Sequence, residues 1–499
     1  MNKKFLLLSI IIIIVAAVPR SIELLNHNYL FGFDQGLFFE AVKKIVVDRD
    51  LTLIGAEVGG RGGFFQGPGW YYLLAIPFFI TNGDPYGAMV LMFFIGILTV
   101  GLSIFLIKKM FGWRESLVVG FLIAISPAVI TQSRFIWPPF PVSLLIVLFL
   151  YFLFQVLKKR DHFLPFLTLT IGLIVHFEVA TAGTLFLQTL ILSPILFIKK
   201  LVAFKYVVLA LASFLFALSP LILFDFRNEF IITKGIFRLA SGSDAPHAIT
   251  QVYLMHMFAN HLDIFKYNFF STFHLGEKIW FLLIAIVTSG VFLITKDKKV
   301  EWAKKALLIY LITSPVILFV IFMFYAWPMW NWWILELAII YIFLFGMVSI
   351  YLWRKLLWRI VIVAIFVLFS LSFVQSSVEA FKNDLNDYGG THKIKGKLDA
   401  IDYIYKDAKG KSFGLLIFSP PIYTFPYDYL IWWYGERKYN YVPHQEKKGI
   451  FYLLIEPDPH KPWTYNGWLE TVIKDGEIIK ETTLDSGFII QKRVAENEE

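Results

Sequence analysis

The stretch FGFDQGLFFEAVKKI, residues 31–45, follows the first long apolar run of the chain and has the pattern of an amphipathic helix. Its polar face carries Glu40, Lys43 and Lys44. A helix of this kind lies flat on a membrane surface. At its start Asp34 would act as an N-cap, although Leu37 leaves it without a capping box. The apolar positions recur every three or four residues, at Leu37, Phe38, Ala41, Val42, Ile45 and Val46.

The composition is that of an α-helical polytopic membrane protein. Of the 499 residues, 58% are hydrophobic and only 17% are charged, and apolar runs of membrane-spanning length recur along the chain. The net charge of +9 does not indicate a nucleic-acid partner, because the basic residues form short clusters between apolar runs. The chain has no cysteine, which excludes disulfides, thiolate metal sites and a cysteine nucleophile.

Eleven apolar segments are predicted to span the membrane. A further segment, 70–80, offers roughly 18 Å of helix against the ~30 Å of a hydrocarbon core, so it is predicted to lie in or beside the interface. Without it, the basic clusters between the spans all fall on one side, as the positive-inside rule requires. The predicted spans are 5–22, 86–107, 116–131, 141–157, 163–180, 182–198, 204–224, 278–295, 304–325, 332–352 and 357–376.

Because the basic clusters mark the cytoplasmic side, their distribution predicts a cell-membrane protein with a cytoplasmic N-terminus. Residues 1–380 then form a transmembrane domain with outward loops at 23–85 and 225–277. Residues 381–499 are predicted to be a small extracytoplasmic α/β domain, because a helical pattern is followed by short β-rich runs. The helix is expected at 393–408, and the strands at 412–419, 450–457, 477–484 and 487–493.

A glycine-rich segment, LIGAEVGGRGGFFQGPGWYY at 53–72, lies in the first outward loop. Its glycines permit tight turns and close approach of the backbone to a ligand. The alternative is a flexible loop, but a long segment of this kind inside a compact protein is more often functional. The aromatic residues Trp70, Tyr71 and Tyr72 fit the interface belt of a membrane protein.

An outward Asp34 after the first span, a membrane-parallel helix, and the Gly-Pro-x-x-Tyr-Tyr stretch at 67–72 together resemble the GT-C superfamily of membrane glycosyltransferases. More narrowly, residues from the first span to about 240 resemble the protein O-mannosyltransferase and lipid A aminoarabinose transferase group. The resemblance implies a GT-C fold, a polyprenyl-phosphate sugar donor, and Asp34 as general base. Gln35 departs from the family, which has Glu there, so this chain either does without a second acid or takes it from Glu57 or Glu178.

Several other polar residues are predicted to contact substrate. Arg134, at the end of the third span, either snorkels to headgroups or binds a lipid-linked phosphate in bidentate fashion, and the resemblance favours the phosphate. Asp225 and Arg227 either pair with each other or flank the sugar phosphate. Glu336, inside the tenth span, needs a partner or a cavity. The predicted substrate contacts also include three residues of the first outward loop, Gln35, Glu57 and Arg61, and the pair described next.

That pair is His176 and Glu178, near the outer end of the fifth span, where ionisable residues are functional by default. Two residues apart on a helix, they do not share a face, so one would point into a cavity. A metal site would need a third ligand and better spacing. No metal and no other cofactor is therefore predicted, although a divalent metal remains open.

The expected reaction moves a monosaccharide from a polyprenyl-phosphate to a hydroxyl of a glycan, lipid or protein acceptor at the outer face. Asp34 would accept the hydroxyl proton, and Arg134, with Arg227, would stabilise the departing lipid phosphate. The anomeric centre would invert. The alternatives are a lipid-linked oligosaccharide ligase or polymerase, and a transporter or flippase of the lipid-linked sugar. The scarcity of charge within the spans counts against transport.

The C-terminal stretch PPIYTFPYDYLIWWYGERKYNY, residues 420–441, is dense in aromatic side chains. It either stacks on sugar rings or packs the domain onto the membrane surface. Packing is the favoured interpretation, because aromatic side chains more often supply buried area. Membrane lipids are expected as the remaining partners.

Overall fold

The computed structural model of the chain describes residues 3–58, 63–241, 251–273, 279–324, 329–385, 387, 389–420, 423–458, 460–461 and 463–495. Most of these residues are helical, and the C-terminal part contains a four-stranded sheet. Of the predicted site residues, Arg61 lies outside the described residues.

Each segment predicted to span the membrane forms one or more helices, because an apolar run in lipid must satisfy its backbone hydrogen bonds internally. Pro127 interrupts the third segment, and the seventh bends by 61° at Leu218. The helices up to the C-terminal domain are α1 (Lys3–Arg20), α2 (Ile22–Asn26), α3 (Phe33–Val46), α4 (Gly69–Ile80), α5 (Tyr86–Met110), α6 (Trp113–Ile125), α7 (Pro127–Thr131), α8 (Val142–Leu157), α9 (Leu164–Ile174), α10 (Val179–Ile198), α11 (Phe204–Ala217), α12 (Ser219–Arg227), α13 (Ile231–Ser241), α14 (Gln251–Phe273), α15 (Trp280–Lys296), α16 (Trp302–Met323), α17 (Glu336–Leu352) and α18 (Leu356–Leu385).

Five helices of the described chain are long and apolar enough to cross a membrane, and the bent pair α11–α12 makes a sixth. The five are α5, α10, α16, α18, and α17 with the turn before it. Four shorter apolar helices include α4, whose 12 residues fit the expected non-spanning segment. The chain is therefore a multi-pass membrane protein, while the number of eleven spans stays a prediction.

The basic clusters meet at one end of the helix bundle. Lys108 lies over the ring of Phe5 at 3.9 Å, and Lys158 is 3.4 Å from Glu301. The first outward loop meets the C-terminal domain at the other end. This separation agrees with the charge parity of the sequence, and which end faces the cytoplasm stays a prediction. Further contacts between the basic clusters join Lys304 to Phe111, Lys199 to Trp302 and Arg354 to Asp297.

The C-terminal domain has the helix and the four strands that the sequence predicts. Its sheet has the order β1-β2-β4-β3, with β1 and β2 parallel and the other pairs antiparallel. The register places Leu453 between Leu416 and Gln491. The elements are α19 (Ile394–Ala408), β1 (Gly414–Phe418), α20 (Phe425–Leu430), α21 (Arg437–Tyr439), β2 (Ile450–Ile455), α22 (Thr464–Trp468), β3 (Glu477–Thr483) and β4 (Ile489–Val494).

The C-terminal domain shares a hydrophobic core with the first outward loop. On one face of β2, Leu453 and Ile455 belong to a small cluster of the domain itself. On the other face, Tyr452 belongs to a larger cluster that also contains Phe38 of α3 and Trp70 of α4. Burial of one such side chain stabilises the fold by about 1.5–3 kcal/mol, so this shared core holds the domain firmly on the loop.

Helix α3 is covered by protein on two sides, by α4 and by α20. A Cβ at Gly36 would lie 2.3 Å from the backbone nitrogen of Pro426, so the close approach of α20 requires glycine there. Lys43 lies over the Trp432 ring at 4.6 Å. The apolar stripe that predicts a membrane-surface helix is thus buried by protein, and the orientation of α3 to a bilayer stays a prediction.

Candidate active site

Asp34 lies in the first turn of α3 and is exposed. The helix begins at Phe33, and its N-cap is Gly32, whose backbone is extended (φ −100°, ψ −157°). The interpretation of Asp34 as the N-cap is therefore wrong. Among the described residues, the Asp34 carboxylate has no hydrogen-bond or ion-pair partner. It is free to accept a proton from a bound molecule.

The surroundings of Asp34 suit a proton acceptor. Although the side chain is exposed, the surrounding protein removes part of the water around its carboxyl, and this desolvation raises the pKa of Asp34 above the ordinary aspartate value. Burial also raises the pKa of the neighbouring Tyr71 to about 12, and the negative charge of Asp34 adds to that shift. Tyr71 therefore keeps its proton at neutral pH, while Asp34 binds a proton more readily than a fully hydrated aspartate does.

Gln35 caps α3. Its Oε1 accepts a hydrogen bond from the Gly32 N–H at 2.9 Å, and its Nε2 donates to the Ile136 carbonyl at 2.9 Å. The side chain is buried. A carboxylate can accept the first of these bonds but cannot donate the second, so the glutamine has a structural role that the glutamate implied by the resemblance could not fill. The sequence predicts that Gln35 contacts substrate, but the oxygen and the nitrogen of its side-chain amide are both hydrogen-bonded to the protein.

The first three residues of α3 point to three different parts of the molecule, because successive side chains of a helix diverge by about 100°. Phe33 contacts Tyr423 of the C-terminal domain, with ring centroids 5.6 Å apart. Asp34 lies beside Tyr71 of α4. Gln35 reaches Ile136, in the turn after α7. Asp34 therefore lies where α4, the C-terminal domain and the turn after α7 converge.

His176 lies in the connection between α9 and α10, outside both helices, and holds the start of α4. Its Nδ1 accepts a hydrogen bond from the Gly69 N–H at 3.1 Å, so the proton is on Nε2, which donates to the Ala217 carbonyl at 2.9 Å. A Cβ at Gly67 would lie 2.2 Å from His176 Nδ1. The glycines of the Gly-Pro-x-x-Tyr-Tyr stretch are thus needed for close approach to this imidazole.

Glu178 and Glu336 are both buried, near each other, between α10 and α17. Glu178 is the N-cap of α10 and accepts a hydrogen bond from the Ala180 N–H at 3.2 Å. Glu336 accepts from the hydroxyl of Thr181 at 3.2 Å and lies 3.4 Å from that of Thr184. Glu336 therefore has the partner that the sequence requires, supplied by a neighbouring helix.

Arg134 is held by two carboxylates. Its guanidinium makes a bidentate contact with Glu23, at 2.5–2.8 Å, and an ion pair with Asp384 at 2.6 Å. Lys393 lies 3.6 Å from Asp384 and also pairs with Asp387. This ion network joins the first outward loop, the turn after α7, the end of α18 and the start of the C-terminal domain. A phosphate would have to displace these carboxylates to reach Arg134.

Asp225 and Arg227 do not pair, so the simpler interpretation of these residues is wrong. Asp225 Oδ1 accepts hydrogen bonds from the backbone N–H groups of Ile232 and Thr233, at 2.7 and 3.3 Å, and so caps α13. Arg227 is exposed and has no partner in the part of the chain that the structure describes. Glu57 is also exposed, in a hairpin bridge with Phe65. Of the described arginines in the predicted set, Arg227 is the one available to an anion.

A cavity of about 390 Å³ opens beside the start of α3, between Phe33 and the C-terminal domain. The sequence did not single out its polar residues. Lys397 Nζ is 2.8 Å from the Tyr427 hydroxyl and 3.2 Å from Glu456, and Lys397 is 1% exposed. In the sequence, Lys397 stands in the apolar stripe of α19 between Ile394 and Ile401, and this position could have indicated that the lysine is buried. A larger cavity of about 1220 Å³ lies among the basic clusters at the other end, away from Asp34.

Within the described residues, no group of three histidine, aspartate or glutamate side chains is arranged to hold a metal ion. His176 uses both ring nitrogens for hydrogen bonds to the backbone. Glu178 caps a helix, and Glu336 is bound by threonines. His176 and Glu178, the pair that the sequence marked as possible metal ligands, and Glu336 are therefore all engaged in hydrogen bonds within the bundle.

No protein-family model and no curated protein sequence matches the chain. Solved structures do. ArnT from Cupriavidus metallidurans bound to undecaprenyl phosphate superimposes with a TM-score of 0.60 at 12% identity, over 99% of this chain and 98% of that one. Its apo state gives a TM-score of 0.56 at 12% identity, over 98% of both chains.

A third structure is the archaeal oligosaccharyltransferase AglB from Archaeoglobus fulgidus, in complex with an inhibitory peptide and a dolichol-phosphate. It gives a TM-score of 0.52 at 13% identity, over 98% of this chain and 74% of that one. ArnT and AglB are both GT-C membrane glycosyltransferases. At this identity the likeness concerns the fold, and it spans the transmembrane and the C-terminal parts together. The chain therefore has the GT-C fold that its sequence resemblance predicts.

Proposed function

We propose that this protein is a membrane glycosyltransferase that moves a monosaccharide from a polyprenyl-phosphate donor to an acceptor hydroxyl. The observation that carries the proposal is the state of Asp34, an exposed carboxylate with a raised pKa and no partner among the described residues. The neighbouring predicted groups Gln35, Arg134, His176 and Glu336 are all engaged by the protein. Structures with undecaprenyl phosphate and dolichol-phosphate in the same fold support a lipid-linked donor.

The proposed reaction is a single displacement. Asp34 accepts the proton of the acceptor hydroxyl as its oxygen attacks the anomeric carbon. The bond between that carbon and the phosphate oxygen breaks, and the lipid phosphate leaves with the electron pair. The anomeric centre inverts. A phosphate is a stable leaving group, so the mechanism needs one base and no separate acid.

A cation is expected near the departing phosphate. The resemblance points to Arg134, but Glu23 and Asp384 neutralise that side chain. Arg227 is exposed and follows Asp225, the cap of α13. The glycine-rich loop packs against the start of α13, since a Cβ at Gly63 would lie 2.9 Å from the Ile231 carbonyl oxygen. Arg227, which no carboxylate of the described chain neutralises, is therefore the better candidate for the phosphate.

Asp34→Asn tests the proposal. The amide keeps the size of the side chain but cannot take a proton, so transfer should fall by at least about 100-fold while donor binding survives. The matched control is Asp48→Asn, at an exposed aspartate just after the same helix. Purified protein would be assayed for release of polyprenyl phosphate from a labelled polyprenyl-phosphate sugar, with cell-envelope extract as acceptor.

Transfer at the normal rate in Asp34→Asn would refute the base mechanism. Movement of the labelled lipid across vesicle membranes, without sugar transfer in the wild type, would favour a flippase. A ligase or polymerase would be recognised by its product, because the acceptor would gain an oligosaccharide rather than one sugar.

A further inference from the structure

The cavity beside the start of α3 has the form of a binding pocket. Its volume of about 390 Å³ lies in the range of roughly 300–1,000 Å³ that small-molecule sites occupy. It lies between the loop that carries Asp34 and the C-terminal domain, and Gly32 and Phe33 of that loop form part of its wall. The other side chains used below are Tyr423, His392, Lys397, Glu456, Asp458 and His460.

One wall is aromatic. Tyr423 lies parallel to Phe425, with an interplanar angle of 3°, and Phe33 packs against both rings, at 5.6 and 5.4 Å. Tyr423 is 59% exposed, whereas Tyr427 and Tyr429 of the same segment are fully buried. Most aromatic residues of the segment 420–441 thus pack against protein, whereas Tyr423 is left as a flat ring on the cavity; packing of the domain onto a membrane surface stays a prediction.

The opposite wall is polar, and none of its described residues carries an unpaired lysine or arginine charge. The charge of Lys397 is balanced by Glu456, which also accepts from Tyr427 and lies 3.6 Å from His392 Nδ1. Asp458 Oδ1 accepts a hydrogen bond from the His460 N–H at 2.8 Å, and its second carboxylate oxygen has no partner among the described residues. With one carboxylate in excess, this wall accepts hydrogen bonds and disfavours anions.

We infer that this pocket binds the acceptor, and that the acceptor is a neutral saccharide. A pyranose has an apolar C–H face for the Tyr423 ring and hydroxyl edges for the carboxylates of Glu456 and Asp458. Phe33, which lines the pocket, and Asp34 are consecutive residues of α3 with diverging side chains and Cα atoms about 3.8 Å apart, so the pocket adjoins the helix turn that carries the proposed base. The inference rests on the proposed function for the role of acceptor, but the binding itself does not.

The test is saturation-transfer NMR on the full-length protein in a detergent without a sugar headgroup. The probes are methyl α-mannopyranoside and methyl β-glucopyranoside. Signals on the ring C–H protons are expected for the wild type and for Asp34→Asn. They should be at least fivefold weaker in Tyr423→Ala, which removes the ring, and in Asp458→Asn, which keeps the Oδ1 contact to His460 but loses the charge.

The matched controls are Ile479→Ala and Asp475→Asn, at exposed positions of the same domain outside the pocket, and both should bind the probes normally. No signal in the wild type, or equal signals in Tyr423→Ala and Asp458→Asn, would overturn the inference. Displacement of the sugars by inorganic phosphate would also overturn it, by showing an anion site. Normal transfer by Asp34→Asn with saccharide binding intact would refute the proposed base and leave the pocket standing.

Discussion

Two polar regions at the same end of the molecule differ in one physical respect. In the turn after α7, Arg134 is matched by Glu23 and Asp384, and its charge is balanced within the protein. At the start of α3, Asp34 is exposed and has no partner among the described residues. The two regions are joined by the hydrogen bond from Gln35 to Ile136, two residues after Arg134.

The difference distinguishes charged groups that hold the structure together from a group that is available to react. A charge whose hydrogen bonds are all made within the protein stabilises the arrangement around it but has little left for a substrate. A carboxylate left unpartnered on a rigid support costs stability and keeps its capacity to react. The ion network of Arg134 and the cap of Gln35 supply that support to Asp34.

The largest effect on stability is expected for Arg134→Ala. The change leaves Glu23 and Asp384 partly buried without their cation, which should cost about 2–5 kcal/mol. Arg134→Lys should recover only part of this, because an ammonium cannot make the bidentate contact. Thermal unfolding in detergent measures both variants, with Asp34→Asn as the contrast, expected to stay within about 1 kcal/mol of wild type.

The outcome that would reverse the comparison is an Arg134→Ala protein of normal stability that binds the polyprenyl-phosphate donor at least tenfold more weakly. Arg134 would then serve the phosphate, as the sequence resemblance implies. Arg227→Ala provides the complementary measurement, since it removes the exposed guanidinium and should weaken donor binding without lowering stability.

Gln35→Glu introduces the acid that the resemblance implies at this position and should still be harmful. The carboxylate cannot donate to the Ile136 carbonyl and would be buried, so unfolding should become easier by about 1–3 kcal/mol. Transfer activity per folded molecule should not rise. An active and stable Gln35→Glu variant would show that the second acid of the family has a place here and that the glutamine is not needed as a cap.

The smallest effect is a shift in the pH dependence of transfer. Asp34 works as a base only when it is deprotonated, and partial burial raises its pKa above the ordinary aspartate value. Activity should therefore fall as the pH is lowered through a midpoint above about 3.9. A pH–rate profile of the wild type measures this, with membrane integrity checked at each pH. An acid limb at or below the ordinary value would contradict the assigned environment.

The sequence alone was sufficient for the features that depend on local patterns. Apolar runs and basic clusters predict the helix bundle and the grouping of its charges at one end, and both are present in the structure. The 3.6-residue stripe after Asp34 predicts α3, and short β-rich runs bounded by turn residues predict the strands of the C-terminal domain. These patterns reflect hydrophobic burial, which leaves a periodic trace along the chain.

The tertiary structure alone decided which polar groups are satisfied. Arg134 pairs with Asp384, 250 positions away along the chain, Gln35 bonds to Ile136, and Asp225 caps a helix instead of pairing with Arg227. A hydrogen bond is directional and joins two groups over about 3 Å, so it leaves no periodic trace in the sequence. Composition and spacing could place Asp34 at a helix start, but its lack of a partner and the pocket beside it emerge only when the loop and the C-terminal domain are brought together.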